Sequence, residues 1–190
     1  LINRIQSSAE RMQTLIVDIL AFSRISIDKT NFVLSNLNEI LQDILTDINE
    51  EINTRNASIT IEHLPVLEVN PRLMRMLFHN LISNALKYSK KDTQPQIKIF
   101  SETNLISRSR DKKFCRIFVE DNGIGFDQKY AEDIFGMFKR LHHDTEFTGT
   151  GIGLALCKKI VEQHNGFISA QSEVNTGSKF IVSLPLPQGV

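Results

Sequence analysis

The order of elements in this chain predicts an α+β fold. It is a two-layer sandwich in which a mixed, mostly antiparallel sheet carries helices on one face, preceded by a long N-terminal helix. Three observations lead to it. Short alternating apolar stretches mark strands that come mostly in pairs. Longer stretches with apolar residues every three or four positions mark helices between those pairs. A heptad-like pattern opens the chain before any strand.

In that first helix Ile2, Ile5, Ala9, Met12, Ile16 and Ile19 form a seam that asks for a partner helix. Leu15, Leu20 and Phe22 widen the apolar face, which suits a helical hairpin or four-helix bundle. An ordinary core helix of the same domain is the alternative. Asp28 to Asn31 punctuates its end, and Phe32 to Leu34 reads as a short strand. Asn36 followed by Glu39 has the spacing of a capping box. Ile40, Ile44, Ile48 and Ile52 predict one amphipathic helix behind it. Ser58 to Glu62 and Val66 to Val69 read as strands. Asn70-Pro71 is a helix start, with a capping side chain and then proline at the first helical position. That helix is expected to run to Tyr88. Strands follow at Gln96 to Glu102 and Phe114 to Glu120, then a polar, glycine-dotted region from Asp121 to Thr150. A helix over Gly151 to Asn165, stopped by Gly166, leads to strands at Phe167 to Ser172 and Ser178 to Leu184.

Composition narrows the function. Lys+Arg and Asp+Glu are equal at 22 each in 190 residues, so no basic surface for nucleic acid or anionic lipid is expected. The basic run Ser107 to Lys113 reads as a solvated loop. Cys115 and Cys157 lie far apart without metal spacing, which argues against disulfides and zinc and for a reducing, cytoplasmic setting. No apolar run approaches the roughly 18 to 20 residues needed to span a bilayer. The chain opens inside a helical pattern, so a fragment of a longer protein is expected.

Five of the nine glycines fall in two clusters, Gly123/Gly125 and Gly149/Gly151/Gly153. Glycine serves where backbone must approach a ligand closely or take positive φ. The second cluster opens a helix, whose free N–H groups and dipole favour an anion, and Thr150 adds a hydroxyl. Alone, such a run serves phosphate or a tight turn equally well. It lacks the Gly-Lys-Ser/Thr of a Walker loop and the spacing of a dinucleotide fingerprint. On the preceding helix Asn80, Asn84 and Lys87 share one face, while Leu73, Leu77, Phe78 and Leu81 can serve the core. An amide oxygen suits magnesium, which takes phosphate oxygens and waters as its other ligands. Lys87 can answer phosphate charge. Asp121 ends an apolar strand before Asn122-Gly123, where it either accepts an amine or makes a plain turn.

Taken in order, these motifs resemble the catalytic and ATP-binding domain of sensor histidine kinases, of the gyrase and histidine-kinase ATPase superfamily. Residues 80–89 resemble its asparagine box, and 121–126 its first glycine box. Residues 134–140 resemble its phenylalanine box, 149–154 its second glycine box, and 177–180 its closing hairpin. The resemblance covers nearly the whole chain. It implies ATP and Mg2+ as cofactors, with Asn84 as the metal ligand, Asn80 beside it, and Asn80 and Lys87 as the residues serving transfer. Tyr88 would lie against adenine and Asp121 would read its amine, with Gly125 allowing close approach. Residues Phe126 to Thr148 would form a mobile lid anchored by Phe135 and Phe138, with Lys139 or Arg140 on the triphosphate. Gly149, Gly151, Gly153 and Leu154 would supply backbone contacts. Gly123, Phe126, Phe138, Thr148, Thr150 and Ile152 join the expected nucleotide site.

Hydrolytic branches of the superfamily carry a glutamate four residues before the metal asparagine. Asn80 stands there and cannot act as a general base, so transfer to another nucleophile fits better than hydrolysis. A hydrolytic ATPase, a protein-serine kinase and a scaffold that no longer binds ATP are the alternatives. None of His63, His79, His142, His143 or His164 has the setting of a phosphoacceptor. His164 is expected near a helix C-terminus, where positive charge is favourable. Residues 1–27 resemble the second helix of the dimerisation and phosphotransfer hairpin, and 28–190 the catalytic domain. The partners implied are the histidine-bearing hairpin of the parent kinase, a response-regulator receiver domain, and a second copy through the N-terminal helix. Neither nucleic acid nor membrane contact by this fragment is expected.

Overall fold

A computed structural model describes residues 2–25, 31–102, 113–141 and 149–186. In chain order the elements are α1 (Ile2–Ile25), β1 (Val33–Asn36), α2 (Leu37–Asp47), α3 (Asn49–Thr54), β2 (Ser58–Ile61), β3 (Val66–Val69), α4 (Pro71–Lys87), β4 (Gln96–Glu102), β5 (Phe114–Asp121), α5 (Gly153–Gln163), β6 (Phe167–Glu173) and β7 (Gly177–Pro185). Two short 3-10 turns, Gln128–Tyr130 and Asp133–Phe135, lie between β5 and α5.

The main sheet has the order β2-β4-β5-β7-β6. Only the β2–β4 pair is parallel; the other three are antiparallel. The inner face of the sheet is apolar. Ile97 and Ile99 of β4, Ile117 and Val119 of β5, and Val182 and Leu184 of β7 are buried on it. Leu73, Leu77, Phe78 and Leu81 of α4 and Ile160 and Val161 of α5 close over them from one side. Each such side chain contributes about 1.5–3 kcal/mol by leaving water. The outer face is polar at its rim, with ion pairs between Lys98 and Glu62 and between Lys179 and Glu120.

Two pairings differ from the sequence reading. β3 does not join β2. It pairs antiparallel with β1 in a separate two-stranded sheet, Val33 opposite Val69. β2 instead lies parallel to β4, because α4 intervenes as the crossover that a parallel pair requires. The isoleucine helix is also not continuous. It breaks at Ile48 (φ −99°, ψ 14°), leaving α2 and α3. A strict four-residue repeat drifts around a 3.6-residue helix, and the buried stripe is Leu37, Leu41, Ile44 and Ile48, with Ile40 only half-buried.

Caps hold the helices where the sequence places them. Asn70 accepts the Leu73 N–H, with Pro71 opening α4. Asn36 accepts the Asn38 N–H and donates to Glu39 Oε1, a side-chain variant of the capping box. α5 begins at Gly153 rather than Gly151, and its stop uses Asn165 at φ +55° rather than Gly166. Gly166 is required for another reason: a Cβ there would collide with the Ser183 carbonyl. His164 also departs from expectation. Its Nε2 accepts the Asn70 N–H at 3.0 Å, which leaves Nδ1 to donate to the Ile160 carbonyl at 2.7 Å. Burial holds its pKa below the ordinary range, so it is a neutral strut between α4 and α5.

α1 has two distinct faces. Met12, Ile16, Val17, Ile19 and Leu20 are exposed, Met12 at 61%. Ile25 is 1% exposed, and Ala21 and Phe22 pack partly on the core. The seam read from the sequence is therefore bare along Met12, Ile16 and Ile19.

Candidate functional site

The site lies between α4, the loop after β5, and the start of α5. The loop is held in place by its own side chains and backbone. Asn122 accepts the Gln96 N–H and donates to the Gln94 carbonyl, pinning the end of β5 to β4. The Tyr88 carbonyl then accepts the Ile124 N–H at 2.9 Å. Gly123 passes beneath that carbonyl, where a Cβ would lie 2.5 Å from it. Gly125, at φ +61°, crosses Glu173 so closely that a Cβ would strike the carbonyl oxygen. The end of α4 is fixed from the other side by Arg55, which donates to the Leu86 carbonyl at 3.1 Å.

Two adjoining cavities result. The smaller, about 80 Å³, is mostly apolar, with Ile124, Phe126, Ile134, Leu154 and Phe180 around it. Asp121 is its acidic wall. Its Oδ1 accepts the Gly123 N–H at 2.8 Å and the Ser178 N–H at 3.3 Å. Burial nevertheless pushes the carboxyl up to about 6, because desolvation outweighs these two donors. A carboxylate set in an apolar slot can accept a planar amine lying against Tyr88.

The larger cavity, about 230 Å³, is polar and cationic. Asn80, Asn84 and Lys87 line it from α4, and Lys139 and Arg140 from the segment after the second 3-10 turn. Gly149, Thr150, Gly151, Gly153 and Leu154 complete it from the glycine cluster. Lys87 Nζ lies 4.6 Å from the Tyr88 ring centroid and so close to Gly149 that a Cβ there would meet it at 2.5 Å. Gly153 leaves room for Asn80, whose Oδ1 would be 2.8 Å from an added Cβ. Asn80 Nδ2 donates to the Met76 carbonyl of its own helix. The Gly151 carbonyl accepts the Phe138 N–H at 2.9 Å, tying the phenylalanine segment to the glycine cluster.

Asn84 and Tyr88 line both cavities, so the α4 stripe runs through their junction. No group of three or more His, Cys, Asp or Glu that could hold a metal occurs among the described residues. The donor set fits a hard cation that arrives with phosphate oxygens and takes one amide oxygen, as magnesium does.

Three residues predicted for the site line neither cavity. Gly123 is wedged between the Tyr88 carbonyl and the Asp121 carboxylate, and Ile152 is fully buried. The Phe138 ring is 55% exposed, and what the residue contributes is its backbone, which at φ +62° donates to the Gly151 carbonyl. The Phe135 ring, expected beside it, is buried edge-on to Phe180 at 6.4 Å. Thr148, His142 and His143 lie outside the described residues, as does the basic run apart from Lys113. The sequence reading missed Ser178 and Phe180, which reach the site only through the β5–β7 pairing of Asp121 with Ser178. It also missed Thr14 and Asp18 of α1, which line the larger cavity.

Comparison with known proteins agrees with this geometry. Residues 69–188 match the family described as histidine kinase-, DNA gyrase B-, and HSP90-like ATPase. Cyanobacterial phytochrome A of Nostoc sp. (strain PCC 7120) is 38% identical over 175 residues, which is 92% of this chain. The chain spans only 22% of that relative's length. The catalytic domain of histidine kinase ThkA superposes with a TM-score of 0.65 at 26% identity, covering 82% of this chain and 99% of that one. ThkA in complex with the response regulator protein TrrA superposes at 0.71 and 24% identity, covering 98% and 50%.

Proposed function

This chain belongs to the histidine kinase-, DNA gyrase B- and HSP90-like ATPase family, and from that premise we propose that it is the ATP-binding part of a sensor histidine kinase. The observation that carries the proposal is the junction at Asn84. An apolar slot ending on Asp121 meets a cationic cavity ending on a glycine-rich helix start. That sequence of environments matches adenine, then ribose and metal, then triphosphate.

In this reading Asp121 accepts the exocyclic amine, Tyr88 lies against the ring, and the amide oxygen of Asn84 is the protein ligand to magnesium. The metal when bound supplies charge neutralisation of the phosphates. Lys87, Lys139 and Arg140 do the same from the protein side, and the N–H groups opening α5 add to them. The γ-phosphorus forms a bond to a histidine nitrogen outside this chain as its bond to the β,γ-bridging oxygen breaks, and ADP leaves with that oxygen. Positioning and charge stabilisation supply most of the catalysis in such transfers. Asn80 supports transfer over hydrolysis, since a neutral amide is too weakly basic to take a proton from water.

α1 fits the second helix of a dimerisation hairpin, because its bare stripe of Met12, Ile16 and Ile19 calls for helical partners. A response-regulator receiver domain is the downstream acceptor, as the TrrA complex of ThkA suggests by analogy. A cytoplasmic setting fits two buried free thiols, Cys115 and Cys157, and no described helix is long and apolar enough to cross a membrane.

Calorimetric titration with a non-hydrolysable ATP analogue tests the site. We expect magnesium-dependent binding that Asn84→Ala weakens by about tenfold or more, the scale of one charge-assisted contact. No heat with the wild type, or equal affinity with and without magnesium, defeats the reading.

A further inference from the structure

α1 is fastened to the candidate site along one stripe. Asp18 Oδ2 accepts the Thr150 hydroxyl at 2.5 Å, a contact spanning 132 residues of sequence. One helical turn on, Lys159 of α5 donates from Nζ to the Phe22 carbonyl at 2.8 Å, and Nζ lies 3.9 Å from the Phe22 ring centroid. Ile25 is buried beyond it. Asp18, Phe22 and Ile25 are four and three residues apart, so they share one helix face. The opposite face is the bare apolar one.

The position of Asp18 matters because of what surrounds it. Thr150 belongs to the glycine cluster that opens α5, and its Oγ1 also accepts the Ile152 N–H at 3.4 Å. Asp18 lines the same cavity as Asn84, Lys87 and Arg140. A carboxylate there stands at the positive end of α5 and among the cations, the environment that also suits a phosphate. Two anions cannot share that end of the cavity without mutual repulsion.

We infer that the Asp18–Thr150 contact is an autoinhibitory latch, in which α1 supplies its own carboxylate to the phosphate end of the site and the terminal phosphate of a triphosphate must displace it. The inference rests on the nucleotide reading above and adds a regulatory residue to it. Because α1 carries the unpaired apolar stripe on its other face, whatever packs on that stripe shifts the latch. Helix rearrangement and triphosphate affinity are then two sides of one equilibrium.

The latch acts on the terminal phosphate, so its removal is read as a difference between ligands. In the full chain, Asp18→Asn is expected to raise affinity for a magnesium-bound non-hydrolysable ATP analogue by about fivefold, the upper scale of a partly screened charge pair. Affinity for adenosine should stay within about twofold, since no phosphate is involved. Equal or weaker analogue binding by Asp18→Asn overturns the latch while wild-type binding leaves the nucleotide reading intact. Absence of binding by the wild type overturns both. A second measurement uses the pair D18C and T150C in one chain. Cys115 and Cys157 are buried and their thiols are held above the ordinary range, so they do not compete. Disulfide formation under mild oxidation should be suppressed by the analogue and unaffected by adenosine. Equal cross-linking rates with both ligands overturn the inference.

Discussion

The two ends of the candidate site are built on different principles. The Asp121 end is set by backbone. Gly125 passes against Glu173, Gly177 (φ +135°) against the Asp121 carbonyl, and two N–H groups hold the carboxylate. The Lys87 end is set by long side chains: Lys87 and Arg140 are half-buried and Lys139 exposed around a polar space. The first end has one permitted shape and a desolvated charge. The second can rearrange, and it already holds a substitute anion in Asp18. Steric definition therefore resides where the base would lie, and adaptability where the phosphates would lie.

The sharpest way to break this comparison is Gly125→Ala. The added methyl meets the Glu173 carbonyl at a residue with φ +61°, so a loss of about 3 kcal/mol or more of stability is expected from combined clash and strain. Thermal denaturation checks it, and a near-neutral result would show that the loop is not sterically fixed.

Asp121→Asn comes next. Binding of adenine ligands should fall by about 100-fold, because a buried acceptor is replaced by an amide whose donor end faces the amine. Stability at neutral pH should rise at the same time, since a charge disfavoured by burial is removed. Titration calorimetry and thermal denaturation of one protein sample separate the two effects.

The pH dependence is smaller and its sign follows from the same group. The Asp121 carboxyl is held up at about 6, above its unfolded value near 3.8. Its contribution to folding is thus fully present below the unfolded value and is lost as pH rises through about 6. Ligand binding runs the other way, because the ionised form is the better acceptor. Affinity for adenosine should drop by about tenfold from pH 7 to pH 5, and a flat profile would place the amine elsewhere. His164 opposes Asp121 in the stability profile. Its folded pKa is lowered, so its contribution is present above the ordinary histidine value and is lost as pH falls toward the folded one.

Lys139→Met is expected to have the smallest effect. Triphosphate affinity should decline about threefold and lose part of its salt dependence, as for one screened surface charge. A loss as large as that of Asp121→Asn would show that the phosphate end is as rigid as the other.

Much of the fold was legible because its signals are local. The Asn70-Pro71 start of α4, the strand alternation at Ile97 and Ile99, and the Asn80, Asn84 and Lys87 stripe each depend on a few neighbouring residues. The break at Ile48 was hidden by a regular repeat that packing does not follow. The exposure of the Phe138 ring was hidden by its similarity to that of Phe135, since only the packed core distinguishes the ring that meets Phe180 from the one left in solvent.

Periodicity, caps and the spacing of glycines and amides are properties of short segments, and the sequence by itself determined them. With them came the α+β class, the Asn84 stripe and the glycine-rich start of α5. The tertiary structure alone decided which strands pair, that Ser178 and Phe180 join Asp121, and that Asp18 reaches Thr150 across the chain. Those contacts are long-range, and which of many compatible partners meet depends on how the whole core closes over the sheet.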